Sequence, residues 1–105
     1  MKIKIRNFTP HVINITGQDP IPSEGIARCT EEIKVVDNIN GIDIIKKAFG
    51  RLIDLPKPEE GNIFIVSMIT AQAAKTAGRN DCFVPGEQIR DEQGRIVGCK
   101  NIAKI

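Results

Sequence analysis

The sequence contains no tryptophan or tyrosine and only four phenylalanines among its 105 residues. Proteins that bind single-stranded nucleic acid stack the bases on aromatic side chains, and such side chains are scarce here. The formal net charge is only +2, with 15 basic and 13 acidic residues, so the broad basic surface that duplex DNA or RNA requires is also missing. General nucleic-acid binding is therefore disfavoured.

Long apolar runs are absent too. No segment approaches the ~20 apolar residues of a membrane-spanning helix, and the first residues, MKIKIRNF, include no apolar stretch of signal-peptide length. We therefore expect no membrane association and a cytoplasmic location. The three cysteines, Cys29, Cys82 and Cys99, form no C-x-x-C pair, which predicts reduced thiols and neither a disulfide framework nor a zinc site.

Composition indicates one folded domain over residues 1–105. Apolar residues make up 41% and charged residues 27%, a balance typical of globular proteins, and the length suffices for one core but not two. Isoleucine and valine supply most of the apolar content, and their β-branched side chains pack well on sheets. We predict an α+β fold, with a small strand-rich sheet, a sandwich or a partly open barrel, and one main helix.

Alternating apolar and polar residues predict strands in the first half of the chain. Isoleucines alternate with lysines in residues 2–5, and a similar alternation covers residues 27–35. Glu31 interrupts the apolar face of the second stretch, which predicts a bulge or a sheet edge. The polar segment 37–41 predicts a turn.

The segment 42–55 fits two structures. Its residues Ile45 and Phe49 match helical spacing, and they also match the alternation of a strand. We predict two strands here, with a turn near Gly50.

The second half of the chain carries the clearest signals. Residues 63–66 form a continuous apolar run, which is typical of a central strand buried on both faces. The alanine-rich segment 69–75 predicts a helix, and Gly78 stands where a left-handed carboxyl-terminal cap is expected. A short strand is predicted over 82–84 and a hairpin over 89–102.

Catalytic chemistry has little support in the sequence. His11 is the only histidine, so any Ser–His or Cys–His pair would have to use it, and no spacing rule brings a nucleophile to it. No metal-binding spacing and no glycine-rich phosphate loop occur. We predict no catalytic residues, no metal site and no cofactor.

Arg79 and Asp81 follow the predicted helix and admit two interpretations. A cation near a carboxyl-terminal helix end complements the helix dipole, and pairing with Asp81 explains both residues. Alternatively, a loop at this position could offer an arginine fork to an anion. Arg90, in the predicted hairpin, could either join cross-strand ion pairs or share a cationic rim with Arg79.

If a ligand pocket exists, we expect it where residues 9–11 meet the end of the strand at Ser67 and the turn 79–81. Arg79 would hold an anion, with His11 and Ser67 as neutral donors. In the alternative, Thr9 and Ser67 satisfy backbone groups at strand ends, and no pocket forms. The candidate ligand-binding residues are Thr9, His11, Ser67, Arg79, Asp81 and Arg90.

Several short motifs are spread over nearly the whole chain: residues 7–11 (NFTPH), 55–58 (LPKP), 65–67 (IVS), and the tail 79–99. In these motifs the chain resembles a group of small uncharacterised proteins found in bacteria, phages and mobile elements. The group has no established activity, so the resemblance implies a genomic context and no mechanism. It also favours extended structure over residues 42–55.

The function that we expect is that of a non-enzymatic binding protein, of phage or mobile-element type, that captures a small anionic ligand. A nucleotide signal is one such ligand class. The alternative is an inhibitor or adaptor that docks a host protein through a sheet edge or an exposed loop. A small enzyme relying on His11 and a thiol or hydroxyl ranks last. The sequence does not define an oligomeric state.

Overall fold

The computed structural model describes residues 2–105, which form one helix and eight strands. The predicted α+β class with one main helix is confirmed, and none of the sheets formed by residues 2–105 closes into a barrel. In chain order, the elements are β1 Lys4–Asn7, β2 Arg28–Ile39, β3 Ile42–Ile53, β4 Asn62–Ile65, α1 Met68–Thr76, β5 Cys82–Pro85, β6 Gln88–Arg90, β7 Ile96–Cys99 and β8 Ile102–Ala103.

The central sheet has the strand order β1-β4-β5-β8. In it β1, β4 and β5 run parallel, and β8 is antiparallel to β5. Phe64, Ile65 and Val66 are fully buried, as the apolar run predicted for a central strand. The first strand was predicted over residues 2–5 and begins two residues later, at Lys4. Because three strands are parallel, their carboxyl ends share one edge of the sheet and their amino ends share the other.

Each face of this sheet carries its own apolar cluster, because successive side chains of a strand point to opposite faces. On one face Phe64 packs against Phe8, with ring centroids 5.7 Å apart, and against alanines of α1. On the other face Ile65 packs with Ile13 and Cys99. The hairpin β6–β7 therefore covers the face opposite to α1.

The helix α1 matches its prediction to within one residue at each end. Its amino-terminal cap is Ser67, and its carboxyl-terminal cap is Ala77. Gly78 follows with φ of 85°, the left-handed conformation expected of a glycine after a helix.

For residues 42–55, the prediction of extended structure is confirmed and the prediction of a turn near Gly50 is wrong. The segment is extended, but Ile42–Ile53 forms one continuous strand antiparallel to β2, and no turn occurs at Gly50. The chain reverses instead at Asn40 and Gly41, both with positive φ, as a two-residue type I′ hairpin turn requires. At Gly50 the register shifts, and a Cβ there would collide with Oγ1 of Thr30, so this glycine accommodates a bulge.

The predicted hairpin over 89–102 is confirmed in its first part. β6 and β7 pair antiparallel, and Gly94 ends their turn with φ of 80°. The last residues leave the hairpin and form β8, because Ile102 packs into the apolar cluster beneath the central sheet.

The hairpin β2–β3 extends well beyond the rest of the molecule. The radius of gyration is 16.5 Å, against roughly 13 Å for an ordinary compact domain of this length. At the base of the hairpin, Leu52 packs against the cluster beside α1. We call the portion from Glu31 to Phe49 the arm.

Candidate functional site

A buried asparagine organises the segment that was predicted to contribute Thr9 and His11. Asn7 is fully buried, and its Nδ2 donates hydrogen bonds to the carbonyl oxygens of His11 (2.7 Å) and Ile21 (2.9 Å). Its Oδ1 accepts hydrogen bonds from the N–H (2.9 Å) and the Oγ1 (2.7 Å) of Thr9. Thr9 is itself buried, so its hydroxyl stabilises the turn and does not face solvent.

His11 is the only candidate residue beside the larger cavity. The cavity measures about 500 Å³ and lies between residues 11–14 and the hairpin β6–β7. The His11 side chain is exposed and, within residues 2–105, makes no side-chain hydrogen bond. No serine, threonine or cysteine in the part of the chain that the structure describes therefore forms a hydrogen bond with the His11 side chain.

Ser67 caps the helix. Its Oγ accepts a hydrogen bond from the N–H of Thr70 (3.3 Å) and donates one to Oγ1 of Thr70 (2.9 Å). Thr70 in turn donates to the carbonyl oxygen of Ala27 at 3.2 Å, which ties α1 to the residue just before β2. Ser67 therefore satisfies a backbone N–H group of α1, which agrees with the alternative interpretation that it satisfies backbone groups at a strand end.

Arg79 and Asp81 form a partly buried ion pair. Nε and Nη2 of Arg79 each donate to one carboxylate oxygen of Asp81 at 2.9 Å, and Nη2 also donates to the Pro56 carbonyl oxygen at 3.0 Å. The side chains are only 13% and 17% exposed. Burial opposes ionisation of Asp81, but the hydrogen bond and the charge of Arg79 outweigh it and lower the pKa of this carboxyl.

The neighbouring Cys82 has an unreactive environment. Burial, followed by the negative charge of Asp81, raises the pKa of this thiol to about 11. Because a thiolate is the reactive form of cysteine, this side chain is poorly suited to act as a nucleophile.

The structure does not bring the Arg79 turn to Thr9 and Ser67. Thr9 and Ser67 follow the carboxyl ends of β1 and β4, whereas Asp81 precedes the amino end of β5. Since Phe64 is level with Cys82 in the parallel ladder, Asp81 and Ser67 lie roughly 10 to 13 Å apart along the strands.

Arg90 stays within its own hairpin. Its Nη1 donates to the Gly94 carbonyl oxygen at 2.7 Å, and its Nη2 donates to Oε1 of Gln88 at 3.2 Å. This hairpin covers the face of the central sheet that is opposite to α1, whereas the guanidinium of Arg79 lies 5.8 Å from the Phe64 ring on the α1 face. The two arginines therefore form no common rim.

A smaller cleft beside Arg79 collects three basic side chains. It measures about 240 Å³, and its lining includes Lys75, Arg79 and Lys104. Within residues 2–105, neither lysine belongs to an ion pair, while Arg79 is engaged with Asp81. The two lysines are therefore the cations of this cleft that remain available to a ligand.

The arm has an unusually apolar surface for a projection into solvent. Ile33 and Ile42 are 62% and 67% exposed, and the side chains around them are also open. Monomeric proteins seldom leave large contiguous apolar surfaces in contact with water. The exposed large apolar residues of the arm are Ile33, Val35, Val36, Ile39, Ile42, Ile44 and Ile45.

The arm also has two open edges. β2 and β3 form a sheet of two strands, so the outer backbone groups of each have no strand partner among residues 2–105. A two-stranded ribbon is at best marginally stable in water, and an unpaired apolar edge is a template for another strand. The sequence predicted extended structure on both sides of a turn here, but it also predicted an apolar face in the core, whereas the apolar side chains of the arm are exposed.

The charged side chains of the arm differ in whether they have a partner of opposite charge within residues 2–105. Nζ of Lys47 lies 3.3 Å from Oε1 of Glu31, and this is the one ion pair that the arm forms within residues 2–105. Lys34 lies directly opposite Lys46, which places like charges side by side. Glu32, on the same face as Lys34, belongs to no ion pair within residues 2–105.

Within the described residues 2–105, no group of three or more His, Cys, Asp or Glu side chains could hold a metal ion. No helix in that range is long and apolar enough to cross a membrane. The chain matches no known protein family, no curated protein and no solved structure.

Proposed function

We propose that this protein is a non-enzymatic protein-binding module, an adaptor or an inhibitor, and that the arm is its binding element. The observation that carries the proposal is the exposure of seven large apolar side chains on a two-stranded projection. A surface of this kind costs free energy in water, and that cost is removed when a partner covers it.

The mode of binding follows from the backbone. A chain that adds a strand to an open edge gains main-chain hydrogen bonds and can place alternate side chains against the apolar surface. The arm offers both an edge and an apolar surface within the same 12-residue strands. In line with the resemblance to small phage and mobile-element proteins, a host protein is among the partners to be tested.

The test is site-specific photo-cross-linking in cells. Ile39 on the arm and Ile96 on β7 are both 55% exposed, so each is replaced in turn by a photoreactive amino acid. We expect a discrete covalent adduct from position 39 and none from position 96. Equal adduct formation at both positions, or none at either, would contradict the proposal.

A second candidate, capture of a small anion, is favoured by the cleft that contains Lys75 and Lys104. Two cations without ion-pair partners within residues 2–105 beside a concave surface suit a phosphate-bearing ligand. Thermal unfolding with inorganic phosphate and with mono-, di- and cyclic nucleotides tests it. A ligand that binds only the folded state must raise the melting temperature, and the rise must vanish in a Lys75→Ala, Lys104→Ala variant.

A further inference from the structure

We propose that the arm binds a second copy of this chain, edge to edge, through the outer edge of β2. The inference rests on the proposed function of the arm and specifies its occupant. The two β2 strands run antiparallel about a two-fold axis that passes by Ile33, and together the two arms form a four-stranded sheet.

Bulges limit where the edge of β2 can pair. Register shifts occur between Cys29 and Glu31 and between Val35 and Asp37, and the longest stretch of uninterrupted register lies between them, from Glu31 to Val35. Bulges bend and twist an edge and interrupt its ladder, so a neighbouring strand has this stretch available. Ile33, 62% exposed, lies at its centre.

The regular stretch is complementary to itself. In an antiparallel pair centred on Ile33, the two isoleucines face each other, and Glu32 of each copy lies opposite Lys34 of the other. Two pairs of opposite charges therefore flank an apolar contact. Lys34 also gains an acidic neighbour that offsets its opposition to Lys46.

The edge of β3 lacks this match. Antiparallel pairing centred on Lys46 or Lys47 would place like charges opposite each other. A pairing centred on Ile45 would place Asp43 opposite Lys47, but both are already engaged within the arm. Asp43 accepts a hydrogen bond from Asn38 at 2.9 Å, and Lys47 pairs with Glu31.

Pairing also relieves the weakness of the arm as a ribbon. Three or more strands with an apolar face are needed for a sheet to be stable by itself, and two paired arms supply four. Ile33 and Val35 of both copies then lie on one face together with Ile45 and Phe49, and the Glu31–Lys47 ion pair of each copy lies on that face as well.

The test is a charge swap followed by sedimentation velocity over a range of concentrations. We expect the wild-type chain to dimerise with rising concentration. Glu32→Lys and Lys34→Glu should each weaken the dimer about tenfold or more, because each creates two pairs of like charges. An equimolar mixture of these two variants should dimerise again, because every pair across that interface is then opposite in charge.

Lys57→Glu, at an exposed site outside the arm and with the same change of charge as Lys34→Glu, is the control and should leave the dimer unchanged. Circular dichroism verifies that each variant is folded. A wild-type chain that stays monomeric at millimolar concentration overturns the inference. The inference also fails if neither substitution weakens the dimer, or if mixing the two variants does not restore it. If the chain is monomeric but a photoreactive residue at position 39 still cross-links another protein, the second-copy interface is wrong and the proposed function is unaffected.

Discussion

Lys34 and Lys46 lie directly opposite each other across β2 and β3, near the middle of the regular part of the arm. Like charges in directly opposite positions destabilise an antiparallel pair. Neither lysine forms an ion pair with another of residues 2–105. The arm of a single chain therefore contains a repulsion that its own fold leaves in place.

Replacing Lys46 with glutamate should stabilise the arm, because Lys34 then faces an opposite charge. Hydrogen exchange of the arm amides at low protein concentration should slow by about 1.5- to 5-fold, equivalent to about 0.2 to 1 kcal/mol. Lys57→Glu makes the same change of net charge outside the arm. If both variants exchange alike, the opposition of the two lysines has no energetic effect.

Asn7→Ala should destabilise the protein by roughly 2 to 4 kcal/mol. The substitution leaves the buried N–H of Thr9 and the carbonyl oxygens of His11 and Ile21 without their partner. Urea unfolding measures the change. Asn38→Ala serves as control, because Asn38 also makes side-chain hydrogen bonds but is exposed, and its loss should cost about 1 kcal/mol or less. Similar losses for the two variants would show that burial of Asn7 is unimportant.

Arg79→Ala should destabilise the protein by roughly 1 to 3 kcal/mol, since it removes the cation from a carboxylate that is only 17% exposed. Arg95→Ala removes the partner of Asp91, which lies in an exposed turn, and should cost much less. Chemical unfolding of both variants at neutral pH provides the comparison. A negligible change for Arg79→Ala would mean that water replaces the guanidinium at little cost.

The same ion pair predicts an acid-labile contribution to stability. The pKa of Asp81 is lower in the folded chain than its ordinary value of 3.8, so the pair stabilises the fold above that value. The contribution is lost as the pH falls through the lower, folded pKa. As the pH is lowered from 5 to 2, the free energy of unfolding should therefore fall more steeply for the wild type than for Arg79→Ala. Parallel curves would contradict this assignment.

Alkylation should distinguish the cysteines. With a pKa of about 11, Cys82 is ionised in only about one molecule in a thousand at pH 8, and it is buried as well. Cys29 is half-buried, and burial followed by the charge of Glu31 raises its pKa too. Iodoacetamide followed by peptide mass spectrometry should label Cys29 before Cys82 in the native protein, and both alike in urea. Early labelling of native Cys82 would contradict its burial.

Local sequence was sufficient for the elements whose signals are local. The apolar run at 63–66 and the alanine-rich segment ending before Gly78 identified β4 and α1, because burial on both faces and helix capping leave a mark within a few residues. The turn predicted near Gly50 was wrong, because glycine permits a bulge as readily as a turn. The register of the opposite strand decides between the two.

The site residues could not be grouped from the sequence, for a topological reason. Ser67 and Asp81 are joined through α1, which carries the chain back across the sheet, so residues close in sequence lie at opposite edges. Asn7 had a usable signal, because Asn-x-Thr-Pro after a strand is typical of a side-chain-capped turn. The exposure of the arm had no such signal, because alternation of apolar and polar residues does not reveal that both faces of a hairpin are in contact with solvent.

The length of the arm also determines the order in which structure can form. Its strands are joined by two residues, and their contacts are local, whereas the central sheet needs Lys4 to find Asn62 before β1 can pair with β4. Local contacts pay little loop-closure entropy and form first. During synthesis, both strands of the arm are made before β4 to β8, so the growing chain exposes the apolar side chains of the arm ahead of its core.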